Sequence, residues 1–151
     1  MKDEEISDEV ARLLPDSSQD PWIILTGGEP SLQIDRDFID NLKKSTGCRI
    51  AIETNGSMPL PDNIDWVTVS PKEKEVVVEH ADEIKVVDCG QELEKYFSLR
   101  CRGVETMMYL QPCFVADRRD RDSNLRRTVR RVLEDPRWRL SLQTHRLIGI
   151  R

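Results

Sequence analysis

Short runs of β-forming residues alternate with stretches of helical periodicity along most of this chain. Residues 22–25, 49–53, 65–69, 83–87, 106–110 and 137–142 read as strands. Residues 4–14 carry Ile6, Val10, Leu13 and Leu14 on one helical stripe, and residues 34–44 carry Ile34, Phe38, Ile39 and Leu42, with Gly47 as the stop. Residues 92–99 read as a short helix, and 122–134 as a longer one bearing Leu125, Val129, Val132 and Leu133. Residues 15–21 and 58–63 are polar or proline-punctuated loops, and 143–151 is a short tail. Strands separated by helices cannot close as tight hairpins; crossovers join them into a parallel sheet. Such sheets carry their chemistry on the loops that follow the strands.

The length of 151 residues suits a single domain, with 1–21 as an acidic helix and loop and 22–151 as the core. A net charge of -5 gives no global attraction to nucleic acid. The arginine-rich run from Arg118 to Arg131 reads as a solvated helix face. No apolar run reaches transmembrane length and no signal peptide is evident, so the expected location is cytoplasmic. Cys48, Cys89, Cys101 and Cys113 lie far apart, form no C-x-x-C pair, and read as reduced thiols rather than a local metal knuckle.

The strand ends are polar in succession. The first ends in Thr26-Gly27-Gly28-Glu29-Pro30, the second in Glu53-Thr54-Asn55-Gly56, and the third in Ser70-Pro71-Lys72. The fifth ends in Gln111-Pro112, and the last runs into Ser141, Gln143, Thr144 and His145. Glycines let backbone groups approach a ligand, a neighbouring carboxylate can accept hydrogen bonds from an ammonium group, and proline stiffens the exit. The first loop lacks the phosphate-cradle pattern G-x-x-x-x-G-K-[ST] and suits the amino-acid end of a small zwitterion. Each loop alone also reads as an ordinary turn, with Glu29 opening a helix and Asn55-Gly56 a common turn pair. His145 alone reads first as a surface or capping histidine rather than a catalytic one.

Taken in order, T-G-G-E-P, E-T-N-G, S-P-K, E-I-K-V-V, L-Q-P and the ending R-L-S-L-Q-T-H-R-L-I-G-I-R resemble the radical S-adenosylmethionine superfamily. Within it the S-P-K and the ending resemble the 7-carboxy-7-deazaguanine synthase family. The resemblance implies S-adenosylmethionine, a [4Fe–4S] cluster and Mg²⁺, and a ring contraction of 6-carboxy-5,6,7,8-tetrahydropterin to 7-carboxy-7-deazaguanine in queuosine biosynthesis. It implies that Gly27, Gly28 and Glu29 hold the methionine amino group and that Thr26 faces the pterin. Glu53 and Asn55 would line the adenosyl and substrate region, and Ser70 and Lys72 would bind the ribose or carboxylate. Gln111 and its loop would close over the cofactor, with Gln143, His145 and Arg151 at the substrate mouth.

The superfamily holds its cluster through C-x-x-x-C-x-x-C, because one short loop must aim three thiolates at one cluster. That segment, and the Mg²⁺-binding threonine after it, do not occur here before T-G-G-E-P. The expected fold is therefore an α/β, incomplete (β/α) partial TIM barrel lacking its first strand and cluster loop. This chain alone is expected to bind neither cluster nor Mg²⁺ and to be inactive. An exposed sheet edge would favour a homodimer. Two other readings stand beside this one: a non-catalytic domain that keeps the fold and binds S-adenosylmethionine or a partner, and a chain completed by a separate cluster-bearing polypeptide.

Overall fold

The computed structural model describes residues 3–14, 20–72, 75–99 and 105–150. In chain order the elements are α1 (Asp3–Leu13), β1 (Trp22–Leu25), a 3-10 turn (Pro30–Leu32), α2 (Arg36–Thr46), β2 (Arg49–Thr54) and β3 (Trp66–Val69). Then follow β4 (Glu83–Asp88), a 3-10 segment (Glu94–Leu99), β5 (Met107–Pro112), α3 (Arg118–Glu134), β6 (Arg139–Leu140) and α4 (Thr144–Leu147). The strands lie in the order β1-β2-β3-β4-β5-β6. Trp22 pairs with Arg49, Glu83 with Met107 and Tyr109 with Arg139, each in parallel register. This is the α/β fold with a parallel sheet expected from the sequence, and its sequential strand order is that of a partial (β/α) barrel. Most of the expected 15–21 loop falls outside the described residues.

The chain forms two compact units, one of residues 1–68 and 72–80, the other of residues 69–71 and 81–151. In the first, Asp35 caps α2 by accepting a hydrogen bond from the Phe38 amide at 2.8 Å, and Gly47 ends it at φ 67°. The cap explains why the helix begins at Arg36 rather than at residue 34; Ile34 still packs on the core from outside it. Phe38, Ile39 and Leu42 bury against Ile50, and Ile6 and Val10 of α1 cover them. Leu13, expected on the same stripe, is 68% exposed. Asp65 fixes the start of β3: its amide donates to the Ile50 carbonyl at 2.9 Å, and its carboxylate accepts from the Ile50 amide at 2.7 Å. On the end strand β1, Trp22 and Ile24 are exposed, and the Arg49 guanidinium lies 4.3 Å from the Trp22 ring centroid.

In the second unit, alternation buries Ile84, Val86 and Asp88 of β4 beside Met108 and Leu110 of β5. The helix expected at 122–134 begins earlier, at Arg118, because Asp117 caps it, accepting from the Arg119 and Asp120 amides at 2.8 and 3.2 Å. Leu133, expected on its apolar face, is 80% exposed. The last strand shrinks to Arg139–Leu140: the Arg137 amide donates to the Asp135 carboxylate at 3.0 Å and the Thr144 amide to Leu142 at 2.9 Å, so turns claim both flanks. Trp138 is buried, its ring 5.2 Å from that of Phe97.

The arginine-rich run is not wholly a solvated face. Asp88 has 0% exposure, and a buried carboxylate must be paired or neutralised. Arg131 donates to its Oδ1 at 2.6 Å, Thr128 to its Oδ2 at 2.8 Å, and the Gly90 amide to Oδ1 at 3.0 Å. The Arg127 guanidinium lies 3.5 Å away and also donates to the Asp88 carbonyl at 2.9 Å. Burial opposes the charge, but the hydrogen bonds from Thr128 and Gly90 and the Arg131 charge outweigh it and hold the carboxyl below its ordinary range. Asp88→Ala strands two arginines and should cost about 3–5 kcal/mol in urea unfolding. Because the folded value is depressed, this stabilisation is complete above about pH 4 and is lost as pH falls through the folded value. The acid limb of the stability curve should therefore be shallower in Asp88→Ala, and equal limbs would contradict the assignment.

Candidate functional site

The loop after β1 is built around one carboxylate. Gly27 and Gly28 take φ 83° and 52°, a left-handed conformation that side-chain-bearing residues rarely adopt. Both are exposed, and nothing lies within 4 Å of where a Cβ would stand. The glycines thus shape the turn at an exposed position. They deliver Glu29, in extended conformation, to the start of the 3-10 turn. Glu29 Oε1 accepts from the Ser31 hydroxyl at 2.7 Å, the Ser31 amide at 3.3 Å and the Thr54 hydroxyl at 2.5 Å. Its Oε2 accepts from the Asn55 amide at 2.8 Å. Burial opposes the charge, but hydrogen bonds from Thr54, Asn55 and Ser31 prevail and hold the carboxyl below its ordinary range. A carboxylate oxygen has two lone-pair directions, so Oε2 retains one for a further donor.

Thr54 is the residue that sequence reasoning passed over. It is 3% exposed, donates to Glu29, and accepts from the Gly56 amide at 3.0 Å. The signal was present: period-two alternation sets Thr54 on the face of Ile50 and Ile52, and sets Glu53 on the other. Glu53 is exposed, while Asn55 is half-buried and its side chain accepts from the Ser57 amide at 2.8 Å. The structure therefore brings together Gly27, Gly28, Glu29, Thr54 and Asn55. Thr26 is exposed beside them in sequence. Lys72 is exposed within the same unit.

The second unit holds a cavity of about 310 Å³ beyond the end of β5, lined by Pro112, Phe114, Arg121, Leu142, Gln143 and Arg146 among others. The Arg121 and Arg146 guanidiniums lie 5.1 and 4.2 Å from the Phe114 ring centroid. These cation–π contacts hold both charges at the cavity, and the Arg121 Nε is buried without a hydrogen-bond partner. Gln143, half-buried, precedes α4 and makes no side-chain cap. His145 is exposed, and its carbonyl accepts from the Ile150 amide at 2.9 Å. Ser70 is half-buried after β3, and Gln111 is half-buried within β5, which runs two residues further than expected, to Pro112. Arg151 and Cys101 lie outside the described residues. Cys48 is buried, Cys89 exposed and Cys113 between the two.

Among the described residues no three His, Cys, Asp or Glu side chains gather to hold a metal ion. Also among the described residues, no helix is long and apolar enough to cross a membrane.

No protein-family model matches the chain. Curated relatives do. A 7-carboxy-7-deazaguanine synthase of Bacteroides thetaiotaomicron is 47% identical over 130 residues, 85% of this chain and 65% of the relative. One of Nitratidesulfovibrio vulgaris is 46% identical over 136 residues, 86% of this chain and 59% of the relative. One of Bradyrhizobium diazoefficiens is 38% identical over 148 residues, 97% of this chain and 68% of the relative. The chain thus spans less than two thirds of the length of the first two.

Thr54→Val keeps the shape of the residue but removes the hydroxyl from Glu29 and from the Gly56 amide. With both left short of a partner inside the loop, the cost should be about 1–3 kcal/mol by urea unfolding. A neutral result would show that the crosslink between the two loops is not a structural requirement.

Proposed function

The chain belongs to the 7-carboxy-7-deazaguanine synthase family, and from that premise we propose that it carries the S-adenosylmethionine-binding and pterin-facing part of that activity. The reaction is the ring contraction of 6-carboxy-5,6,7,8-tetrahydropterin to 7-carboxy-7-deazaguanine. The observation that carries this reading is the Gly27-Gly28-Glu29 loop, locked by Thr54 and Asn55 into one hydrogen-bonded unit.

In this reading the exposed peptide groups of Gly27 and Gly28, with the remaining lone pair of Glu29 Oε2, take the ammonium of the methionyl group. The carboxylate is held charged, so it can accept that bond at neutral pH. Thr26 faces the pterin, and Glu53 and Asn55 line the adenosyl and substrate region. Ser70 and Lys72 meet the ribose or carboxylate, and Gln111 closes over the cofactor. Gln143, His145 and Arg151 sit at the substrate mouth, and the guanidiniums of Arg121 and Arg146 beside Gln143 suit the carboxylate of the pterin. In this family S-adenosylmethionine, once bound, supplies the group that removes a hydrogen atom from the substrate.

This sequence contains no C-x-x-x-C-x-x-C, and the reading assigns the [4Fe–4S] cluster and Mg²⁺ to no residue of this chain. The chain by itself then binds S-adenosylmethionine without cleaving it. Cleavage requires a polypeptide segment that brings the three cysteines.

Isothermal calorimetry with S-adenosylmethionine tests the loop. Glu29→Ala should weaken binding by about 1.5–3 kcal/mol, the scale of a hydrogen bond to a charged group. Thr54→Val, which loosens the loop but keeps the carboxylate, should weaken it less. Unchanged affinity in Glu29→Ala removes Glu29 from the site. Anaerobic assay for 5′-deoxyadenosine tests the rest: product from the reconstituted chain alone, above a cluster-free control, would overturn the assignment of the cluster to another segment.

A further inference from the structure

The catalytic reading makes no use of two thiols that the sheet brings side by side. In the parallel register of β4 and β5, Val87 lies opposite Gln111 and Asp88 opposite Pro112. One step further along each chain stand Cys89 and Cys113. Both belong to the same compact unit, Cys89 is exposed, and Cys113 is half-exposed. The two side chains are close enough for Cys113 to act on the titration of Cys89. We propose that Cys89 and Cys113 are a covalent modification site, forming a reversible intrachain disulfide that fastens the carboxyl ends of β4 and β5.

The spacing of the ladder that ends one residue before the pair suits it. Neighbouring strands run about 4.8 Å apart, inside the roughly 4.4–6.8 Å between Cα atoms that a disulfide spans. The anchors are firm. Asp88, next to Cys89, is tied to Thr128 and Arg131 of α3. Cys113 accepts a hydrogen bond at its carbonyl from the Asn124 side chain of the same helix at 2.9 Å. Both thiols are thus held in place before any bond forms, which favours their reaction with each other over reaction with a third sulfur. A metal explains the pair less well, because no third His, Cys, Asp or Glu joins them among the described residues.

The oxidant is a low-molecular-weight disulfide such as oxidised glutathione. One thiolate attacks it, releasing one reduced thiol and leaving a mixed disulfide. The second thiolate attacks the protein sulfur of that intermediate and releases the other. One S–S bond is broken and one formed; two protein thiols lose two electrons and two protons, and the oxidant becomes two thiols. Burial, and then the neighbouring Cys113, raise the Cys89 thiol above its ordinary range, so the reaction should quicken as pH rises. Cys113 also lines the arginine-bearing cavity, which places the bond at that cavity's wall.

The test is glutathione titration of the full reduced chain under anaerobic conditions, followed by alkylation, intact mass and non-reducing peptide mapping. A loss of about 2 Da should appear, the linked peptides should contain Cys89 and Cys113, and excess reduced glutathione should reverse it. Cys89→Ser and Cys113→Ser should each abolish it, while Cys48→Ser should not. In denaturing urea the pair should need an oxidised-to-reduced ratio about tenfold higher, since the fold no longer holds the thiols together. Glutathione adducts at Cys89 or Cys113 in place of the linked peptide would overturn the proposal. So would a mass loss that survives Cys89→Ser. The wild-type peptide map decides the matter if a serine variant fails to fold.

Discussion

A carboxylate taken out of water has to find donors or give up its charge. Each compact unit of this protein is organised around one such group. In the second unit Asp88 ends β4 with no exposure at all, and α3 docks on it through Thr128, Arg127 and Arg131. Leu125, Val129 and Val132 of that helix are only half-buried, and its buried residue is a threonine. Its position is therefore set by direction-dependent bonds rather than by apolar burial alone. In the first unit Glu29 does the same at smaller scale, drawing the loops after β1 and β2 onto a single pair of oxygens.

The consequence for function is preorganisation. A ligand that binds a loose loop must order it, at roughly 1–2 kcal/mol for each residue fixed. Here the turn is already ordered by two glycines at positive φ and by four donors on one carboxylate. In the proposed reading the ligand takes the exposed peptide groups of Gly27 and Gly28 and one lone pair of Glu29. Structure and recognition thus divide one side chain between them, so Glu29→Ala alone cannot separate the two roles and Thr54→Val has to accompany it.

Much of this was legible from the residues. Helical spacing found the face of α2, and Gly47 marked its end, because both reflect local rules. Polar strand ends found the loops. What the sequence concealed was mostly long-range. Arg127 and Arg131 look like solvated charges until Asp88, some forty positions earlier, is placed beneath them. The two-residue β6 was concealed for another reason: turns at Asp135 and Leu142 claim the flanking amides, and propensity does not weigh that competition. Thr54 was legible in principle from the alternation of β2, but a threonine beside Asn-Gly invites the simpler reading of a turn.

The two motifs that seemed independent evidence, T-G-G-E-P and E-T-N-G, are physically one object. Glu29 of the first is a conformational anchor only while Thr54 and Asn55 of the second donate to it. The hydroxyl of Thr54 in turn receives the Gly56 amide, so the turn after β2 is shaped by the loop after β1. Parallel pairing makes this possible: with Leu25 opposite Ile52, both strands leave the sheet at the same end, close enough for one carboxylate to span them. A chain that changed either motif alone would strand a charge or leave an amide unpaired. The two motifs are thus needed together for that shared network to form.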